Sequence, residues 1–213
     1  MLRDQIGTMG NAMGNLSYHL RREGGGLRSR IGLRVVLVHL AIVAVFGVLF
    51  PWIRGIGFVD PVMTSAYACL GVLFAAPAVA QSFGMERPGS MNDALARIIM
   101  ALAYGELMTV VILLAGFMTV YATRPFAFAP DLETLAMAGL FGLAASLAMA
   151  AIAGWMTLRL SAGVARQGMR VLFLLLLCLF FYKSGWLPDV AGEAALISVA
   201  IAAGALYGLR TAL

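Results

Sequence analysis

Long apolar segments alternate with short polar ones along almost the whole chain after residue 30. A helix needs about 20 predominantly apolar residues to cross the roughly 30 Å hydrocarbon core of a membrane. Most of the apolar segments reach that length, but the fifth is short, since an unbroken helix of about 12 residues spans only about 18 Å. The pattern predicts six membrane spans, approximately at residues 31–53, 61–83, 96–121, 132–158, 171–182 and 194–209.

The composition agrees with this pattern. Of the 213 residues, 62% are hydrophobic and 12% are charged, whereas soluble domains have roughly 45 to 50% apolar and about 25% charged residues. Segments of this length cross a membrane as helices, because a helix satisfies its own backbone hydrogen bonds. We therefore predict an all-α, polytopic membrane protein, with a cytoplasmic N-terminal arm at residues 1–30 and a six-helix transmembrane domain at residues 31–213.

The basic residues predict the orientation, because cytoplasmic loops retain Lys and Arg. With both termini in the cytoplasm, twelve arginines lie on the cytoplasmic side, and only Arg54, Arg124 and Lys183 lie outside. We expect a multi-pass protein of the cytoplasmic (inner) membrane. Attraction to anionic lipids then accounts for its net charge of +5, and no nucleic acid partner is needed to explain that charge. The twelve are Arg3, Arg21, Arg22, Arg28, Arg30, Arg34, Arg87, Arg97, Arg159, Arg166, Arg170 and Arg210.

Residues 11–22 have the pattern of a short helix that lies in the membrane interface. Leu16 and Leu20 fall on one side of such a helix, whereas His19 falls on the other. Three successive glycines at positions 24–26 then disfavour a continuing helix. We predict an amphipathic elbow helix at the cytoplasmic surface, followed by a turn into the first span.

Motifs for catalysis and cofactor binding are missing from the sequence. No G-x-x-x-x-G-K-[ST] pattern is present, so the chain does not hydrolyse ATP through a P-loop of its own. We also find no H-E-x-x-H, no G-x-S-x-G and no Asp-rich magnesium motif. Cys69 and Cys178 lie inside predicted spans, far from C-x-x-C spacing. We expect no catalytic residue, no cofactor and no metal site, and a membrane-embedded enzyme is disfavoured.

Two polar residues inside predicted spans are candidate functional groups, because ionisable side chains are costly within a membrane. Glu106 is the only carboxylate that lies clearly within an apolar run, and His39 lies in the first span. A single carboxylate is a weak basis for proton-coupled or ion-coupled transport, so we expect the energy for any transport to come from elsewhere. His39 either lines a path or, in the simpler interpretation, makes an interhelical hydrogen bond.

Small residues recur at spacings of three and four in the fourth and sixth spans, among them Ser146, Ala150 and Gly208. Such rows allow helix backbones to approach closely. They predict close packing, within the chain or between chains, and define no site by themselves.

The polar loop between the second and third spans, residues 81–97, carries the sequence QSFGMERPGSMNDALAR. Ser90 precedes a helical pattern, and Asp93 follows it by three positions, which resembles a capping box. We predict a short helix that starts here, lies at the cytoplasmic surface and joins the third span.

An amphipathic elbow, six spans with both ends inside, and this loop together resemble the permease subunits of ABC-2-type transporters. In that family the loop is often an E-R-E-x-G-T-x-x-x-L-like run, which Glu86, Arg87, Gly89, Ser90 and Leu95 resemble. The chain departs from that run in its spacing, by Pro88 in place of the second acidic residue, and by Glu106 where a lysine is common further on.

The resemblance implies a permease that forms a dimer, with an identical or a related chain, and that docks a separate P-loop ATPase subunit through cytoplasmic helices. ATP-driven closure of the ATPase subunits would then move the permease helices as levers. The residues that the resemblance assigns to ATPase docking are Leu16, Leu20, Arg21, Arg22, Glu86, Arg87, Gly89, Ser90, Asp93 and Arg97.

A second interpretation uses the same features. A non-catalytic membrane subunit of a larger respiratory, photosynthetic or secretion complex would also have basic inner loops and small residues for packing. The two interpretations differ in the partner, which is an ATPase in the first and redox or assembly subunits in the second. The sequence does not indicate the transported substrate.

Overall fold

The computed structural model describes residues 33–54, 67, 70–123, 132–160, 163–165, 167–168, 171–172, 175 and 187–213. All regular secondary structure in these residues is helical, which confirms the all-α class. The elements are α1 (Leu33–Ile42), a π-helical segment (Val43–Leu49), α2 (Phe50–Arg54), α3 (Gly71–Met85), α4 (Met91–Thr123), α5 (Leu132–Arg159) and α6 (Leu187–Arg210).

Three of these helices are long and apolar enough to cross a membrane. They comprise α4, residues Leu135–Arg159 of α5 and residues Val190–Arg210 of α6, with mean hydropathies of 2.2, 2.1 and 1.7. Two shorter apolar helices, Leu37–Ile53 and Gly71–Met85, coincide with parts of the first and second predicted spans. Most of the fifth predicted span and the whole N-terminal arm lie outside the described residues.

The first helical stretch changes its winding at its centre. The seven residues Val43–Leu49 form a π-helix between α1 and α2. Two adjacent carbonyls in this segment accept side-chain hydrogen bonds, from the Tyr67 hydroxyl to Phe46 O at 2.6 Å and from Thr119 Oγ1 to Gly47 O at 3.1 Å. The π-helical segment is thus hydrogen-bonded to Tyr67 and to Thr119 of α4. Such segments are frequent at functional sites.

Contacts between the helices define their directions. A Cβ placed on Gly192 would lie 3.4 Å from Met137 Cε, and one placed on Gly208 would lie 3.0 Å from Trp155 Nε1. The early residues of α6 therefore meet the early residues of α5, and the late residues meet the late ones. The two helices run in the same direction, and both end beside the turn at residues 86–90, which we call the turn end of the bundle.

The remaining helices alternate in direction. Gly71 lies beside Ser146, and Phe83 lies beside Gly154, so α3 also runs towards the turn end. Helix α4 begins at that turn and runs away from it. The stretch 33–54 runs parallel to α4, because His39 packs against Tyr104 and Gly47 packs against Ala115. Helix α5 therefore ends at the turn end, and α6 begins at the opposite end.

Small side chains form most of the core where α3, α4, α5 and α6 meet, which agrees with the rows of small residues in the sequence. Ala75, Ala80, Ala94, Ala150 and Ala153 are fully buried. Since alanine leaves little volume between two helices, the backbones approach closely and the larger buried side chains fill the gaps. These larger residues are Val72, Val79, Phe83, Ile98, Met149 and Leu209.

Candidate functional site

The turn between α3 and α4 is held by the first residues of α4. Ser90 Oγ accepts a hydrogen bond from the Asp93 backbone N–H at 3.2 Å, which satisfies one of the free donors at a helix start. Asp93 reaches back and accepts from the Gly89 N–H at 3.2 Å. The predicted Ser90 cap is confirmed, and the Asp93 carboxylate bonds one residue before the position that a capping box uses.

Arg97 connects the two helices that flank this turn. Its guanidinium pairs with Asp93 through Nε at 3.2 Å and Nη2 at 3.0 Å. Its Nη1 donates to the carbonyl oxygens of Glu86 at 2.6 Å and Ser82 at 3.3 Å. Ser82 O also accepts the backbone N–H of Glu86 at 3.1 Å, whereas Glu86 O lies at the end of α3, where no further turn of helix supplies a donor. Arg97 is therefore the C-terminal cap of α3 as well as the ion-pair partner of α4.

We call this group the turn cluster, and its members differ in how deeply they are buried. They are Ser82, Glu86, Ser90, Asp93 and Arg97. Arg97 is 3% exposed and Asp93 is 6% exposed, whereas the Glu86 side chain is 52% exposed and lies 3.7 Å from Arg97 Nη2. A buried charge requires partners and hydrogen bonds, and Arg97 has both. Asp93 and Arg97 are thus enclosed by the turn, whereas the side chain of Glu86 reaches the surface.

Arg87 links the turn to the C-terminal end of α6. Its Nη2 donates to Ala212 O at 3.1 Å, and the side chain is otherwise at the surface. Arg159 and Arg210 end α5 and α6 at the same end of the bundle. The turn end therefore collects basic side chains from four helices or turns.

A second polar group lies inside the apolar part of the bundle, where α3, α4 and α5 meet. A Cβ placed on Gly71 would lie 2.7 Å from Glu106 Oε1 and 2.8 Å from Ser146 Oγ, so both oxygens occupy the space that a side chain on Gly71 would need. Both atoms are buried, and neither has a hydrogen-bond partner among the described residues. We call these three residues the junction site.

Gly105 explains why α3 and α4 can meet so closely at the junction site. A Cβ on Gly105 would lie 2.8 Å from Gly71 O and 3.2 Å from the Ala75 backbone nitrogen. The two glycines therefore let one helix backbone lie directly on the other, as small residues do between membrane helices. The carboxyl group of Glu106 is placed by this contact.

His39 belongs to an aromatic group on the other surface of α3. Its ring stacks on Phe74, with the centroids 5.3 Å apart, and meets Tyr104 edge-on at 5.5 Å. Phe74 and Tyr104 also meet edge-on, at 6.3 Å. The arrangement joins α1, α3 and α4 through ring packing, which is worth about 0.5–1.5 kcal/mol for a pair.

Of the residues assigned to docking, the structure brings Glu86, Ser90, Asp93 and Arg97 into one group. Leu16, Leu20, Arg21 and Arg22 lie outside the described residues. Sequence reasoning missed Ser82 and Gly71, and it did not pair Glu106 with Ser146. A small polar residue within a row of small residues was the available signal for Ser146.

No metal-binding group of three or more His, Cys, Asp or Glu residues occurs in the described part of the chain. Comparison with protein-family models, with curated proteins and with solved structures finds no match for this chain.

Proposed function

We propose that this chain is the transmembrane permease subunit of an ATP-driven exporter of the ABC-2 type, which works as a dimer with separate ATPase subunits. The observation that carries the proposal is the turn cluster. It presents Glu86 and Arg87 at one end of the bundle, on a turn that buried Arg97 holds to both α3 and α4. A partner that binds this turn would therefore move α3 and α4 together.

The length of α4 supports the role of a lever. Helix α4 has 33 residues, which corresponds to about 50 Å, and a hydrocarbon core is about 30 Å thick. Several turns of α4 therefore extend beyond the core, and they continue without a break into the membrane span. A displacement at the turn end would reach the interior of the bundle through a single rigid element.

The directions of the helices support six spans with both termini in the cytoplasm. The described stretches run alternately away from and towards the turn end up to α5, and α5 and α6 run in the same direction. A further crossing between them would restore the alternation, and the apolar segment 171–182 lies in that interval. Arg87, Arg97, Arg159 and Arg210 lie at the turn end, which fits a cytoplasmic face.

Exposed apolar side chains on α4 and α6 fit contact with membrane lipids and with a second permease chain. In a membrane these surfaces need no water, so their exposure carries no cost. They provide room for a dimer without disturbing the core described above. The most exposed are Leu107, Met118 and Tyr121 on α4, and Leu196, Ile197 and Tyr207 on α6.

Site-specific photo-cross-linking in native membranes tests the proposal. We place the photoreactive residue at Arg87 and, as a matched control, at Leu196, which is 72% exposed but lies in the apolar part of α6. Position 87 is expected to cross-link a chain that carries a P-loop, and position 196 is not. In the purified complex, Glu86→Arg combined with Arg87→Glu should reduce ATPase coupling while the apparent Tm of the permease is unchanged.

Other outcomes would reject the proposal. Cross-links from position 87 to redox or assembly subunits would favour the non-catalytic scaffold instead. Unchanged ATPase coupling in a folded charge-reversed variant would remove the turn from the docking surface.

A further inference from the structure

The junction site contains two buried oxygen atoms that have no hydrogen-bond partner in the part of the chain that the structure describes. Glu106 Oε1 and Ser146 Oγ both lie within 2.8 Å of the Cβ position of Gly71, and Ser146 is 0% exposed. A buried polar atom without a partner costs about 1–3 kcal/mol. Both atoms border the same position beside Gly71, so a hydrogen bond between the two groups would satisfy both.

We propose that the junction site binds a proton. A proton taken up from water forms the O–H bond of a neutral carboxylic acid at Glu106, and this O–H donates to Ser146 Oγ. Uptake gives the carboxyl group a donor of its own, which an ionised carboxylate lacks. The proposal does not depend on the transport function proposed above.

The packing around the site selects the proton over larger ligands. Glu106 and Ser146 already fill the space beside Gly71, and Gly105 holds the backbones of α3 and α4 in contact. A bound sodium or calcium ion would need about six oxygen ligands or more, whereas the junction site offers the two carboxyl oxygens and one hydroxyl. An organic cation would need a cavity at this position, but the helices are in contact there and leave no room for one.

The charges around the site also favour the neutral acid. Neither α3 nor the part of α5 between Glu133 and Arg159 contains a charged residue. On α4, Arg97 lies nine positions earlier, about 14 Å along the helix axis, and is occupied by Asp93. The Tyr104 ring packs on Phe74 and His39. An ionised Glu106 would therefore have no cationic partner among the described residues, at a depth where charge is costly.

The partial exposure of Glu106 makes the proton exchangeable. The residue is half-buried, so the three helices do not enclose it completely. Loss of the proton would place a charge between three helices and loosen their contact, which couples the junction to the local proton concentration.

Infrared difference spectroscopy of the full chain in lipid nanodiscs tests the inference. At neutral pH we expect the carbonyl stretch of a protonated carboxylic acid in the wild type. Glu106→Gln should abolish this band, and the exposed control Glu193→Gln should retain it. Ser146→Ala should shift its frequency, because the hydroxyl acceptor is lost. The band should decrease as the pH is raised, and the wild-type apparent Tm should fall with it, whereas the Tm of Glu106→Gln should change less over the same range.

Several results would overturn the inference. One is a folded wild type with no protonated carboxyl band at any pH. Another is a band that persists in Glu106→Gln. If Glu106→Gln does not fold, Ser146→Ala is the deciding variant. An unshifted carboxylic acid band in folded Ser146→Ala would show that the protonated carboxyl group does not bond to Ser146.

Discussion

The turn cluster and the junction site both contain buried polar atoms, but they differ in what these atoms contact. At the turn cluster, the Arg97 guanidinium donates to Asp93, Ser82 and Glu86. At the junction site, Glu106 Oε1 and Ser146 Oγ have no such partner among the described residues. A satisfied group stabilises the native state, whereas an unsatisfied one retains the capacity to bind.

The two groups also differ in how far apart their residues lie in the chain. The turn cluster is formed by positions 82 to 97, within one helical hairpin. The junction site joins positions 71, 106 and 146 from three helices. The first can form as soon as α3 and α4 meet, but the second exists only when α5 is also packed. A disturbance of overall packing should therefore affect the junction site first.

The largest effect is expected for Arg97→Ala. The substitution leaves Asp93 buried without its partner and the end of α3 without its cap, which should lower the free energy of unfolding by about 3–5 kcal/mol. Unfolding in mixed micelles with a denaturing detergent measures this. The control Arg87→Ala removes one exposed hydrogen bond and should change the value by less than about 0.5 kcal/mol. Equal effects of the two substitutions would contradict the central role of Arg97.

Gly105→Ala should have the next largest effect, because the added Cβ meets the backbone oxygen of Gly71 at 2.8 Å. The two helices must move apart, at a cost of about 1–3 kcal/mol. The matched control is Gly204→Ala on α6, where no atom lies within 4 Å. There alanine should stabilise the helix by up to about 1 kcal/mol. Thermal unfolding of both variants checks the opposite signs, and a stabilised Gly105→Ala would show that the helices do not touch.

Ser90→Ala should remove the cap of α4 and destabilise its first turn by about 1 kcal/mol. Hydrogen exchange of the amides at residues 91–94 should accelerate, because the donor that Ser90 satisfies becomes free. The control Ser198→Ala removes a hydroxyl that only bonds the carbonyl four residues earlier in α6. Exchange at the start of α4 should be unaffected by it. Unchanged exchange in Ser90→Ala would mean that another group caps the helix.

Ser146→Ala should have the smallest effect on stability, despite complete burial of the residue. Its hydroxyl accepts at most the one hydrogen bond from the neutral Glu106 carboxyl group, so the substitution should lower the free energy of unfolding by about 0.5 kcal/mol, the lower end of the range for one hydrogen bond. The loss should be smaller than for Ser90→Ala, which frees the backbone donor of Asp93. A loss larger than that of Ser90→Ala would show that Ser146 makes further bonds.

Local sequence patterns predicted the elements at the start of α4. The apolar runs predicted helices over α3, α4, α5 and α6, because backbone satisfaction in lipid leaves few other structures. The Ser90 cap followed from the spacing of Ser90 and Asp93. The structure differs in extent, since the short surface helix and the third span are one continuous helix, α4. Nothing between residues 91 and 123 interrupts helical winding.

Contacts between distant residues could not be predicted in this way. The pairing of Arg97 with the end of α3 depends on how the hairpin closes, and the meeting of Glu106 with Ser146 depends on the rotation of three helices about their axes. The π-helical segment Val43–Leu49 also has no signal in its apolar sequence. The side chains that bond to it, Tyr67 and Thr119, come from other parts of the chain.

The shared direction of α5 and α6 has a consequence for synthesis of the protein. Translation produces α5 first, but the surface that receives α6, with Met137 near one end and Trp155 near the other, waits until residues 161–186 and then α6 have been made. The contact between α5 and α6 therefore forms later in synthesis than the contact between α3 and α4. In the meantime that surface of α5 lacks the helix that covers it in the folded protein.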